Sequence, residues 1–138
     1  MSDMTLHRPK RVMATTADRT MWSYLDRGEL RAQRCVKCGV FRFPPAASCD
    51  NCLSTEAEWV VLPTTGTVLS WVTYHRQYFA NMPPPYTVVV AEVADGVIVA
   101  ADLVGDAELL DIGRAVELRF DDAQFDDGGS SKLYRWTL

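Results

Sequence analysis

Apolar and polar residues alternate with a period of two through much of the chain beyond residue 65, and this pattern predicts strands. "GTVLSWVTYHR" (66–76) sets Val68, Val72 and Tyr74 on one side and Leu69, Trp71 and Thr73 on the other. "YTVVVAEV" (86–93) and "VIVAADLV" (97–104) flank Asp95-Gly96, a two-residue type I′ hairpin signal. "AVELRF" (115–120) alternates cleanly, Asp127-Gly128-Gly129 marks a flexible link, and "KLYRWTL" (132–138) completes the series. Five or six short strands in this span predict a small all-β barrel, best matched by a five-stranded OB-fold. Ahead of them the pattern changes. Residues 1–16 show no periodicity and read as an irregular, mobile tail. Thr16 or Asp18 caps a short helix running to about Arg27, with Met21, Trp22 and Leu25 on one face and Gly28 as its stop.

Between helix and strands lies "RCVKCGVFRFPPAASCDNC" (34–52), which holds all four cysteines of the chain. Too few apolar residues surround it for a core of its own. Each Cys-x-x-Cys turn lets two thiolates converge on one ion, and Gly39 permits the tight backbone after the first knuckle. Four thiolates at this spacing, Cys35, Cys38, Cys49 and Cys52, suit tetrahedral Zn²⁺. The alternatives are two disulfides, disfavoured in a reducing compartment, and rubredoxin-type iron. Against iron stand Leu53 in place of a second knuckle glycine and a short intervening loop. A site with four cysteine ligands has no open position for water or substrate, so its role is to hold the fold. Arg34, Lys37 and Arg42 lie close in sequence to offset its formal −2 charge. The resulting organisation is a tail and helix over 1–29, a zinc ribbon over 30–57 and an OB-fold over 58–138.

Charge narrows the functional classes. Residues 1–45 carry nine Lys/Arg against four acids, whereas residues 46–138 carry five against fourteen, a balance of −9. The barrel half would repel a phosphate backbone, which makes a single-stranded nucleic-acid-binding module the alternative rather than the leading reading. No apolar run reaches the roughly 20 residues of a membrane span, and the N-terminus lacks a secretory h-region. The expected location is the cytoplasm.

Catalytic constellations are sparse. His7 lies in the tail, and His75 ends a strand as a solvated imidazole; a stand-alone enzyme would have to use His75 with nearby tyrosines. No nucleophile elbow, P-loop or dinucleotide fingerprint occurs. Asp121, Asp122, Asp126 and Asp127 lack EF-hand spacing and read as solvated loop acids. "RQYFANMPPPY" (76–86) is more informative. It sets Tyr78, Phe79 and Met82 among three prolines between two strands, an apolar loop suited to a partner or ligand.

The order of helix, "CVKCGVFRFPPAASCDNC", "TTGTVLSWVTY", "PPPYTVVVAEVADG" and "LLDIGRAVELRF" resembles the domain-of-unknown-function-35 family, over roughly residues 17–138. Its members join a rubredoxin-like zinc ribbon to an acyl-CoA-associated OB-fold. The "FPP" between the knuckles carries most of the specificity, with Gly66, Pro85-Tyr86 and Ile112-Gly113 as further matches. Two positions depart from it: Ala46 stands where members often have arginine, and Asp50 where they often have proline. Both weaken the case for CoA-phosphate contact at the ribbon. The resemblance implies a non-catalytic accessory subunit of a thiolase-fold enzyme (a thiolase, acyltransferase or steroid side-chain aldolase), with a MaoC-type hydratase as another partner. It implies structural zinc, and a CoA thioester bound at the interface with the partner. The contact residues expected on this reading are Trp22, Phe43, Pro44, Tyr78, Phe79 and Met82.

Overall fold

The computed structural model describes residues 5–94 and 96–138. Five strands form a ring: β5 (Thr65–Tyr74), β6 (Tyr86–Ala94), β7 (Val97–Val104), β9 (Ser130–Thr137) and β8 (Ala115–Phe125), which returns to β5. The neighbours are antiparallel except β7 and β9, which run parallel through Leu103↔Trp136 and Val104↔Thr137. This two-residue seam and the three-residue β5–β8 seam leave the barrel partly open, as an OB-fold commonly is. The expected five-stranded all-β architecture is therefore observed. Asp95 of the hairpin signal lies outside the described residues. β6 and β7 pair from Ala94↔Val97 onward, and Gly96 adopts φ +77°.

The inward residues Val68, Val89, Val99 and Val116 share one buried core with Trp136, all 2% exposed or less. Trp136 donates its indole N–H to the Val99 carbonyl at 3.1 Å, so the polar edge of the largest core side chain is satisfied.

A simple alternation does not hold along β5. A bulge between Val68 and Ser70 shifts the register. Beyond it, Trp71 and Thr73 lie across from the buried Val89 and Thr87, while Val72 and Tyr74 lie across from Val88 and Tyr86 on the outer face. The grouping of Val68 with Val72 and Tyr74 is thus corrected: one extra residue reverses the faces of all that follow. The 2.8 Å contact between the Thr73 and Thr87 hydroxyls confirms that these two share a side.

β8 also runs five residues beyond the expected stop at Phe120. The acids that read as loop are held by cations across the sheet and along the strand. Asp121 meets Arg119 at 2.7 Å and Arg135 at 3.4 Å, and Asp122 meets Lys132 at 2.8 Å. With these charges paired, the strand continues to the turn at Gly128, where φ is +87°. Asp102 on β7 accepts from Arg135 at 2.8 Å and from Arg8 at 3.4 Å, which ties the short parallel seam together.

The tail is not irregular throughout. β1 (Leu6–Arg8) pairs parallel with the far half of β8, Leu6↔Ala123 through Arg8↔Phe125. Downstream, the Arg11 guanidinium grips Asp127 with two donors (3.0 and 3.1 Å) and lies over the rings of Trp22 and Phe125. This clamp holds the Asp127 carboxyl far below the usual range, chiefly through the Arg11 hydrogen bonds. A carboxyl depressed on folding stabilises the protein above its unfolded pKa of about 3.9 and loses that contribution as the pH falls towards its folded value. Asp127→Asn should lower the melting temperature at pH 7 by about 5 °C and flatten the acid limb of the stability profile. Thermal melts between pH 2 and 7 check both outcomes.

α1 (Thr16–Leu25) starts one residue earlier than the expected caps allow. Thr15 is the N-cap, its side chain accepting from the Asp18 N–H while Asp18 reaches back to the Thr15 N–H, a capping box. Met21, Trp22 and Leu25 are buried, and Trp22 meets Phe125 edge-on at 5.3 Å. Between helix and barrel along the chain comes a three-stranded sheet in the order β3 (Phe41–Arg42), β2 (Arg31–Cys35), β4 (Ala57–Val61). β4 has no counterpart in the expected elements, since "AEWVV" offers only a short alternation. Leu30, Ala32 and Leu62 belong to the same buried cluster as the barrel, and Phe41, Phe43 and Trp59 pack against it. The ribbon thus shares the barrel's core, as its scarcity of apolar residues requires. No helix among the described residues is long and apolar enough to cross a membrane.

Candidate metal centre and exposed surfaces

β2 runs directly into the first knuckle. There the Gly39 N–H donates to the Cys35 carbonyl at 2.9 Å, and the Cys35 N–H to the Val40 carbonyl at 2.9 Å. The second knuckle repeats this pattern: the Leu53 N–H donates to Cys49 at 2.9 Å and the Cys49 N–H to Ser54 at 2.8 Å. Both turns need a left-handed residue, Gly39 at φ +77° and Leu53 at φ +68°. For leucine this conformation costs on the order of 1–3 kcal/mol, and the side chain is 77% exposed, so little packing offsets the strain. Leu53→Gly is expected to raise the stability of the zinc-loaded protein by about 1 kcal/mol, measured by denaturant titration at constant zinc.

The knuckles bring the four sulfurs within 4.8 Å of one another, with Cys35–Cys52 and Cys38–Cys49 each at 3.5 Å. The cysteines are free, so the disulfide alternative does not describe this arrangement. A tetrahedron of about 2.3 Å metal–sulfur bonds has edges of about 3.8 Å, which this quartet fits. The sulfurs also differ in acidity. The Cys38 backbone N–H, opposed by burial, brings the Cys35 thiol down to about 6. Cys38 is lowered chiefly by the Asn51 side chain. The Ser54 N–H acts to lower Cys52 as well, but the adjoining sulfurs and burial outweigh it and push the thiol up to about 11. Four thiolates so close repel one another, and a dication is what allows all of them to ionise.

Of the three cations expected to offset that charge, Arg42 does something else. It is 5% exposed and donates to the Ala46 carbonyl at 3.2 Å and the Glu56 carbonyl at 3.3 Å. Its strand neighbour Gln33, also buried, accepts from the Ala46 N–H at 2.8 Å. The pair fixes the loop after "FPP" rather than neutralising sulfur. Nothing in the residue pattern signals this, because buried Arg and Gln look like surface residues until the loop covers them. Arg34 and Lys37 are exposed, and Arg34 lies over Phe41 at 5.8 Å.

The expected contact residues separate into three groups. Trp22 faces its own core, 9% exposed between Arg11 and Phe125, and offers no free surface. Phe43 is half-buried at the ribbon–barrel junction, edge-on to Tyr134 at 6.5 Å, with Pro44 exposed beside it. Burial pushes the Tyr134 phenol up to about 12. In the β5–β6 loop, Tyr78 and Phe79 are 60% and 49% exposed. Met82 is half-buried and lines an open groove of about 450 Å³ with Arg8, Asn81 and Asp102. The loop is fixed at its stem, where Asn81 donates to the Asp126 carboxylate at 3.2 Å and Gln77 donates to the Phe79 and Ala80 carbonyls. His75 is exposed, as expected for a solvated strand end, and His7 is exposed on β1.

Comparison with known proteins agrees with this geometry. Residues 22–58 match the model of the ChsH2 rubredoxin-like zinc ribbon domain, and residues 59–121 that of the ChsH2 C-terminal OB-fold domain. A probable enoyl-CoA hydratase alpha subunit from Thermomonospora curvata is 30% identical over 122 residues. That match takes in 85% of this chain but only 38% of the relative's length. Among solved structures, a chain of an Ltp2-ChsH2(DUF35) aldolase superposes with a TM-score of 0.79 at 25% identity, covering 92% of this chain and 98% of that one. A DUF35 protein of unknown function from Sulfolobus solfataricus shares the fold, with a TM-score of 0.60 at 17% identity over 78% of this chain and 81% of its own. The chain belongs to the DUF35 family, joining a ChsH2-type zinc ribbon to a ChsH2-type OB-fold domain.

Proposed function

We propose that this chain is a non-catalytic accessory subunit of a thiolase-fold acyl-CoA enzyme: a thiolase, an acyltransferase or a steroid side-chain aldolase. In this role it stabilises the partner and helps to form, or to channel substrate to, the acyl-CoA site. The observation that carries the reading is the likeness to a chain of the Ltp2-ChsH2 aldolase, which extends over 98% of that chain. The chemistry of the molecule supports it. Cys35, Cys38, Cys49 and Cys52 would hold one Zn²⁺ in a closed shell, and the ion would supply folding energy rather than a reactive water. Tyr78 and Phe79 stand out from the barrel on an anchored loop and are the contacts we assign to the partner, with Pro44 as a third exposed apolar residue. The CoA thioester would lie at the junction of the two proteins. The hydratase name of the Thermomonospora relative makes a MaoC-type hydratase a further partner to test.

The test is to produce the chain alone and together with each thiolase-fold or hydratase subunit encoded beside it. A stable one-to-one complex, and acyl-CoA turnover by the complex that survives His75→Ala, are expected. Turnover by the isolated chain that disappears in His75→Ala would replace this reading with that of a stand-alone enzyme.

A further inference from the structure

The strand "YTVVVAEV" carries valine on both of its faces. Thr87, Val89 and Ala91 point inward and are buried; Tyr86, Val88 and Val90 take the outward positions. An antiparallel barrel surrounded by water would place polar residues there. The neighbouring strands extend the pattern in register. Tyr74 lies beside Tyr86, Val72 beside Val88, and Ser70 beside Val90, with Ala100 and Ile98 next in line on β7. Val72 is 47% exposed and Ile98 49%. Tyr74 and Tyr86 stack at 4.9 Å, and Tyr78 of the protruding loop sets its edge on Tyr74 at 6.1 Å. The apolar sheet face and the aromatic loop are one continuous surface.

Charge indicates what covers it. β6 and β7 occupy the second and third places of the OB ring, a face that, with the first loop, takes up oligonucleotides and oligosaccharides in other OB-folds. Their outward positions hold no Lys or Arg. The acids there are Asp102, already bound by two arginines, and Glu92 at the far end. Of the cations around the face, Arg8 and Arg135 are bound to Asp102, Arg76 lies over Tyr78 at 5.6 Å and Arg34 lines the groove beside Ile98. A phosphate backbone would therefore find no row of free cations along these strands. A second copy would bring another net charge of −4. An uncharged apolar protein surface meets neither obstacle. We propose that the outward face of β5, β6 and β7, centred on Val88 and Val90, is the seat of the partner enzyme subunit, through a contact that is largely apolar and weakly salt-dependent. This inference rests on the accessory-subunit reading and names the surface that it uses.

The test takes the complex of this chain with its co-encoded subunit and measures Kd by biolayer interferometry at 50 and 300 mM salt. Val90→Lys and Ile98→Lys, made separately, should each weaken binding at least 100-fold, while the parent Kd changes less than threefold with salt. Zinc content and the melting temperature report whether each variant is folded, and the exposed Ile98 keeps the test usable if Val90→Lys is not. Binding of both folded variants within threefold of the parent overturns the assignment of this face and leaves the accessory role standing. Failure of the parent chain to form any complex overturns both. Self-association of the isolated chain that Ile98→Lys abolishes, or micromolar binding of an oligothymidylate that either lysine alters, would assign the face to a different occupant and overturn the proposal.

Discussion

Cys49→Ser is expected to abolish stoichiometric zinc binding and unfold the ribbon while most of the barrel's β-structure remains. Cys49 is fully buried, and its carbonyl and N–H both close the second knuckle. Losing its thiolate removes one corner of the tetrahedron and leaves Cys38, Cys35 and Cys52 to repel one another without a complete shell. Zinc contributes on the order of 10–16 kcal/mol to small ribbon-like units, and no apolar core within the ribbon can replace it. The damage should spread one layer further, because β2, β3 and β4 hold Phe41, Phe43 and Trp59 against the shared core. Metal analysis of the purified variant should find well under 0.2 zinc per chain against about one for the parent. Limited proteolysis should cut first between residues 36 and 56. A chelator acting on the parent should give the same cleavage pattern. A variant that kept full zinc and resisted protease would show that the other three sulfurs suffice.

Trp136→Ala should produce the second large effect, this time in the barrel. Trp136 is fully buried, closes the parallel seam opposite Leu103, and donates its N–H to the Val99 carbonyl. Truncation leaves a cavity and an unpaired carbonyl, at a cost of about 3–5 kcal/mol, which corresponds to a fall in melting temperature of roughly 10–20 °C. Its neighbour explains why glycine stands at position 66. A Cβ there would lie 2.7 Å from the Trp136 ring and 3.2 Å from the Ala91 Cβ. Gly66→Ala in the parent should therefore cost about 1–3 kcal/mol through overpacking. In the Trp136→Ala background the same substitution should be nearly neutral, because the obstructing ring is gone. Chemical denaturation of the two single variants and the double variant tests this coupling; strictly additive costs would mean that the ring shifts aside freely.

Much of this architecture was legible in the residues. Two Cys-x-x-Cys pairs ten residues apart name their own geometry, since each knuckle is local and needs only a tight turn. The strands from 86 to 104 were equally legible, because alternation and an Asp-Gly turn act over a few residues. The failures share a cause. β1 carries no periodicity of its own and is a strand only because β8 offers it an edge. The acids of β8 read as loop because their cations, Arg135 and Lys132, come from the next strand. Trp22 looked available for a partner, and the structure instead sets it against Phe125, about a hundred residues away in sequence.

The residues alone specify the local chemistry: a four-cysteine cluster, a short helix, the main barrel strands and an acidic barrel half. Those properties depend on neighbours within a few positions, or on totals. Which side of β5 faces water beyond Val68 depends instead on long-range strand pairing. One extra residue in β5 turns Val72 and Tyr74 outward, beside Val88 and Tyr86, and so joins an apolar sheet face to an aromatic loop. The reason is geometric. Side-chain direction alternates at every residue, so a bulge that the residue pattern did not reveal reverses every face after it.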